Sequence, residues 1–262
     1  MRVTVPAPAI RMRGIRFAYG AARADVLHGV SMDITAQSVT AVLGPNGSGK
    51  TTLLRLLLGL ITPQSGQVWL DSRPHGSYSR RQLSRRIGLV PQNEHIVFEL
   101  SVLEYVLLGR APYLDLLELP SSADVAVAQR ALSALGIADL GQRTVASLSG
   151  GEKQLVVVAR ALAQEPAVFL MDEPTSHLDL ANRRRILQVV AKLAAGGKTV
   201  LFTTHDPNAA AAVAGEVVLL RRGHVLAAGP TEQVLTVENL SKTYGVDVHV
   251  IEFEGRPLVV GC

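Results

Sequence analysis

The sequence predicts an α/β fold with a strand-and-helix core, a small antiparallel β subdomain near its start and a helical subdomain inserted in its middle. Three observations predict it. Residues 39–43, 167–171 and 199–204 are short, β-rich apolar runs closed by polar turns, as expected of strands buried in a sheet. Residues 10–19 and 26–34 are β-like runs separated by glycine and polar turns, the pattern of a small antiparallel sheet. Between Gln92 and Ser149 the signals become helical.

Taken in order, 51–60 is an apolar helical run directly behind the first buried strand. Ser101 followed by Glu104 is a capping box, and 123–135 runs into Gly136 as a carboxyl-terminal stop. Ser149 and Glu152 repeat the capping-box spacing ahead of the helical run 155–163. Asp206 and Pro207 read as the cap and first residue of a helix behind the third strand. After Gly223 short β runs return, with 231–240 expected as a helix. There is no long repeat, coiled coil or low-complexity linker, so the unit occurs once.

Composition agrees. Of 262 residues, 48% are hydrophobic and 18% charged, enough for one substantial core or two small packed lobes and against overall disorder. Aromatic residues make up only 4%, so the core must be built from Leu, Val, Ile and Ala. The single cysteine, Cys262, cannot form an internal disulfide, and the chain opens without a secretory leader pattern; both favour the cytoplasm. The apolar stretches 51–61 and 209–220 are interrupted by Arg55 and Glu216 and fall short of the ~18 apolar residues of a spanning helix, so any membrane must be crossed by another chain. A formal charge of +4 suits nucleic acid, an anionic membrane face or polyphosphate and does not choose among them. The arginine groups at 80–86 and 183–185 read as solvated helix faces.

The chemistry sits where the strands end. Gly44, Pro45, Asn46, Gly47, Ser48, Gly49, Lys50 and Thr51 have the spacing GxxxxGK[ST] between a strand and a helix, with Thr52 next in line. Such a loop turns backbone N–H groups around phosphate oxygens and adds the positive end of a helix dipole; Lys50 can reach the β- and γ-phosphates and Thr51 can ligate Mg²⁺. The second strand ends in Asp172 and Glu173, suited to hold Mg²⁺ and to polarise a water attacking the γ-phosphate, although Asp before Glu-Pro is also a helix-start sequence. His205 is pinned at the end of the third strand, where an imidazole can bond the γ-phosphate or orient that water; the alternative is a structural histidine. Ser149, Gly150, Gly151 and Glu152 open a helix with exposed N–H groups, which makes either a second anion site or simply a capped helix.

With these residues in hand, the chain resembles the ATP-binding-cassette (ABC) ATPases over nearly its whole length. GPNGSGKT at 44–51 is similar to the family's Walker A motif, VFLMDE at 168–173 to Walker B, LSGGE at 148–152 to the signature motif, Gln92 to the Q-loop, residues 176–179 ending in Asp179 to the D-loop and His205 to the switch histidine. Tyr19 resembles the aromatic that stacks on adenine, with a packed strand residue as the alternative. The resemblance implies a P-loop core with mixed sheet (1–92 and 165–230), a helical subdomain (93–164) and a short extension (231–262). It implies ATP and Mg²⁺ as ligands, with Thr51, Gln92 and Asp172 toward the metal, and a head-to-tail homodimer in which ATP on Lys50 of one copy is closed by Ser149 and Gly151 of the other. One departure is Glu152-Lys153-Gln154-Leu155 where many members carry Gln-Arg, which implies altered polar contacts.

The family's coupling to a membrane permease implies a peripheral subunit on the cytoplasmic face of the inner membrane, serving indirectly a substrate-binding protein. Ile96, Val97, Phe98 and Leu100 suit a docking groove or ordinary core equally. Residues 101–113 and 228–236 resemble importers of siderophores, haem, cobalamin and related chelates or oxyanions such as molybdate. Nucleic acid is not expected as a partner: such ATPases split the cassette with a coiled coil, and no heptads lie between Gln92 and Ser149.

Overall fold

The computed structural model describes residues 8–20, 24–94 and 98–261. Strands β1 (Pro8–Phe17), β2 (Leu27–Thr35) and β3 (Val39–Leu43) lead to α1 (Lys50–Leu57), β4 (Ser65–Leu70), the short β5 (Arg73–Pro74), α2 (Arg80–Arg86) and β6 (Ile87–Val90). Three helices follow, α3 (Val102–Leu107), α4 (Ser122–Ala134) and α5 (Gly150–Ala163). The chain then alternates through β7 (Val168–Met171), α6 (Leu180–Ala195), β8 (Thr199–Thr204), α7 (Pro207–Val213), β9 (Glu216–Arg221) and β10 (His224–Pro230). It ends in α8 (Thr231–Val234), α9 (Val237–Tyr244) and the hairpin β11 (Val248–Phe253) and β12 (Arg256–Gly261).

The central sheet has the order β10-β9-β3-β8-β7-β6, parallel except for β10, and a second, antiparallel sheet has the order β2-β1-β4-β5. Side-chain alternation explains how one sheet serves two cores. Along β3, Val39, Ala41 and Leu43 face one side and Val42 the other; on β8, Val200 and Phe202 oppose Leu201 in the same way. One face is covered by apolar residues of α3 to α7, and the other by the antiparallel sheet and α1. Each fully buried Leu, Val, Ile or Phe contributes about 1.5–3 kcal/mol, which is why these strands are apolar at nearly every position.

The parallel register puts chemistry in one place. Leu43 lies opposite Thr204, Phe202 opposite Met171 and Met171 opposite Val90, so the loops leaving β3, β8, β7 and β6 begin side by side. At about 4.8 Å between neighbours, four such strand ends span only about 15 Å.

Two expectations need correction. Residues 231–240 form two helices, because Leu235 leaves helical geometry (φ −81°, ψ 66°) and the Thr236 hydroxyl accepts from the Asn239 N–H at 3.2 Å, capping a fresh start. The arginine groups are not simply solvated. Arg81 binds the Pro112 carbonyl at 3.0 Å and Asp115 at 2.9 Å, Arg85 lies over Tyr113, Arg86 pairs with Asp71, Arg183 pairs with Asp206, and Arg185 donates to the Leu135 carbonyl. Among the described residues no helix is long and apolar enough to cross a membrane.

Candidate active site

The loop leaving β3 is shaped by close approach. A Cβ on Gly44 would stand 2.1 Å from the Leu220 carbonyl oxygen, and Gly49 sits at φ 107°, a region open to glycine. Gly49 caps α1 without a side chain, so the first-turn N–H groups of α1 keep their capacity for an anion. The Lys50 ammonium turns back into the loop: Nζ donates to the Gly44 and Pro45 carbonyls at 2.8 and 3.2 Å and lies 3.2 Å from Glu173 Oε1. Asn46, Gly47, Ser48, Gly49, Lys50, Thr51 and Thr52 line a cleft of about 360 Å³ together with Val26, Gln92 and Glu173.

The carboxylates meet this loop from β7. Thr51 Oγ1 donates to Asp172 Oδ2 at 3.0 Å, and His205 Nδ1 is 2.9 Å from Glu173 Oε2. Gln92 Nε2 reaches Glu173 and Ser176 at 3.5 Å each. Burial raises the Glu173 pKa, but the bond to His205 and the charge of Lys50 more than offset it, leaving this carboxyl below its ordinary value and ionised at neutral pH. Glu173 also holds a left-handed backbone, φ 44°, unusual for a side chain of its size.

The partner that stabilises this geometry was missed in the sequence. Thr203 on β8, fully buried, donates to Asp172 Oδ1 at 2.7 Å and accepts the Glu173 N–H at 2.9 Å. Its signal was a threonine in an apolar strand, two residues before His205. Arg55, read only as a break in an apolar run, donates to the Tyr19 hydroxyl at 3.0 Å, which also meets Thr52 Oγ1 at 3.1 Å. Tyr19 stands edge-on to Phe17 and remains 41% exposed, so its ring is presented beside the loop and not consumed by packing.

Ser149, Gly150, Gly151, Glu152 and Asp179 do not line the cleft of their own chain. Ser149 caps α5, with the Glu152 N–H donating to its hydroxyl at 3.3 Å and its own N–H donating to Glu152 at 2.8 Å. Asp179 caps α6 by accepting from Asn182. Both helix starts are capped from within their own chain, and Ser149 and Gly150 stay exposed. Of the candidate groove, Ile96 and Val97 lie outside the described residues, Phe98 is 76% exposed, and Leu100 packs partly buried against the core.

The residues fit a nucleotide and its metal. Ser48 Oγ is buried without a hydrogen-bond partner inside the loop, and Thr51 with Asp172 offers the hard oxygens that Mg²⁺ takes. No group of three or more His, Cys, Asp or Glu that could hold a metal ion occurs among the described residues.

A phosphate cradle and buried lysine behind β3, with paired carboxylates at the end of β7, one parallel strand further across the sheet, define a P-loop nucleotide hydrolase. Residues 27–176 match the family profile described as ABC transporter. The chain is 36% identical over 253 residues to the ferric enterobactin transport ATP-binding protein of Escherichia coli (strain K12), covering 95% of this chain and 93% of that one. It is 40% identical over 235 residues to a hemin import ATP-binding protein of Myxococcus xanthus (strain DK1622), covering 86% and 87%. Among solved structures, a transporter assigned to the metal-chelate ABC type, in an inward-facing conformation, superposes with a TM-score of 0.85 at 35% identity and covers 97% of both chains. The chain belongs to the ABC transporter family, as one of its ATP-binding, ATP-hydrolysing subunits.

Proposed function

We propose that two copies of this chain close head-to-tail around two ATP molecules and drive a separate membrane permease that imports a metal chelate or an oxyanion. The observation that carries the hydrolytic part is Glu173 at the mouth of the phosphate loop, with Lys50 3.2 Å from one of its oxygens and His205 2.9 Å from the other. Ser149, Gly150, Gly151, Glu152 and Asp179 lie outside the lining of that cleft, with Ser149, Gly150 and Asp179 exposed at helix starts, which supports their use by a second copy. The import reading rests on relatives named for ferric enterobactin transport and hemin import. The division proposed is a core of 1–92 and 165–230, a helical subdomain of 93–164 and an extension of 231–262, with the whole held at the cytoplasmic face of the membrane by the permease, which a substrate-binding protein would feed.

In this reading the N–H groups of 46–51 and Lys50 bind the phosphates, and Tyr19 stacks on the base. Thr51, Asp172 and Gln92 would hold Mg²⁺, which supplies positive charge against the β- and γ-phosphate oxygens. Glu173, ionised, takes the proton of the attacking water, and His205, 2.9 Å from Oε2, orients the carboxylate and would bond the γ-phosphate. Glu173→Gln removes the base and leaves the phosphate contacts. With ATP and Mg²⁺ this variant should run as a dimer on size exclusion, and as a monomer without ATP; a monomer under both conditions refutes the sandwich.

A further inference from the structure

A polar cluster outside the cleft joins the Gln92 loop to the helix that carries Ser149. Glu94 uses both carboxylate oxygens: Oε1 accepts from Arg160 at 2.6 Å, and Oε2 accepts from the Tyr105 hydroxyl at 2.6 Å. Arg160 also lies over the Tyr105 ring, 5.2 Å from its centroid. Tyr105, 1% exposed on α3, has its pKa pushed up by burial and then by Glu94, so it stays a phenol donor. Glu94 and Arg160 are each only 23% exposed, which favours short, charge-assisted bonds.

The cleft end of the same loop is held more loosely. Gln92, two residues and thus at most about 7 Å of chain away, touches Glu173 and Ser176 only at 3.5 Å. Arg160 lies eleven residues beyond Ser149, about 16 Å along the axis of α5. The loop is therefore fastened to α3 and α5 and rests lightly on the carboxylates.

We propose that Glu94 is a positioning residue that makes the Gln92 loop move as one body with α5, so that the seat of Gln92 at one nucleotide and the seat of Ser149–Gly151 at the other are set together. This rests on the dimer reading above. The coupling energy then passes through the Glu94–Arg160 pair and not through nucleotide binding itself.

The test is a double-mutant cycle in the Glu173→Gln background, with Glu94→Ala, Arg160→Met and both together, and Glu94→Gln as the milder variant. Two quantities are measured with MgATP: affinity for the monomer by nucleotide fluorescence, and the ATP concentration that half-saturates dimer formation. Monomer affinity should be unchanged in every variant. The half-saturating concentration should rise about tenfold in Glu94→Ala, less in Glu94→Gln, and no further in the double variant than in either single one. Unchanged dimerisation, additive effects, or a parallel loss of monomer affinity each overturns the proposal. If the parent itself fails to dimerise, it is the sandwich reading that fails, and this inference falls with it.

Discussion

Replacing Thr203 by valine keeps the shape of the side chain and removes one oxygen, which makes it a clean probe of what holds the carboxylates. The hydroxyl donates to Asp172 Oδ1 at 2.7 Å and accepts the Glu173 N–H at 2.9 Å, at a position 0% exposed. Losing a hydrogen bond to a charged group costs about 1.5–3 kcal/mol, and a buried N–H left unpaired about 1–3 kcal/mol. The extra methyl recovers part of that, so a net loss of about 3 kcal/mol is expected, lowering the melting temperature by roughly 6–12 °C for a chain of this size. The larger effect is on geometry. Glu173 is held at φ 44°, a conformation that itself costs about 1–3 kcal/mol, and the Thr203 bond is one of the interactions that hold it there. Once released, the carboxylate swings away from Lys50 and His205, and turnover should drop about a hundredfold, the low end of what a positioned base contributes. Thermal unfolding and steady-state ATP hydrolysis read the two effects, with Thr203→Ser as the control that keeps the oxygen. If valine leaves turnover intact, or if serine is as damaged as valine, the hydroxyl is not what positions Glu173.

Three further outcomes follow from other parts of the molecule. Gly44→Ala brings a Cβ to 2.1 Å from the Leu220 carbonyl, a backbone atom that cannot swing aside, so ATP binding and folding yield should both fall, measured by nucleotide fluorescence and soluble expression. Asp124 is held down to about 2 from an ordinary 3.8, first by the Ser121 hydroxyl and then by Arg110, so its contribution is present above about pH 4 and is lost as pH falls toward 2. Asp124→Asn should therefore flatten the acid limb of the stability curve over that window; an unchanged limb means the carboxylate does not contribute. Ser149→Arg should abolish hydrolysis without weakening ATP binding to the monomer, and equal loss of both would place Ser149 at its own chain's nucleotide.

Much of the fold was legible because its signals are local and periodic. The runs at 39–43 and 199–204 are apolar because both faces of the sheet are covered, and the capping boxes Ser101/Glu104 and Ser149/Glu152 were visible as pairs three apart, whereas those at Ser79/Gln82 and Ser121/Asp124 went unread. The loop at 44–51 was legible because tight phosphate cradles demand glycine at fixed spacings. What stayed hidden depends on partners distant in sequence. Thr203 matters through residues 31 and 30 positions away, and Glu94 through Arg160, 66 positions away. The arginines of α2 looked like a solvated face because the carbonyls of 112–114 that two of them bind carry no side-chain signal and the carboxylates of Asp71 and Asp115 lie 15 and 34 positions away. The break at Leu235 was hidden because Thr236 is acceptable inside a helix and decisive only as a cap.

The account turns on whether the two halves of the nucleotide site come from different chains. Cysteines placed at Ser149 and at Asn46 in a Glu173→Gln chain, with the single native cysteine changed by Cys262→Ser, test this directly. With MgATP the account predicts an intermolecular disulfide that runs as a covalent dimer and does not form without nucleotide. A disulfide closed within one chain, or none in the presence of saturating ATP, contradicts it.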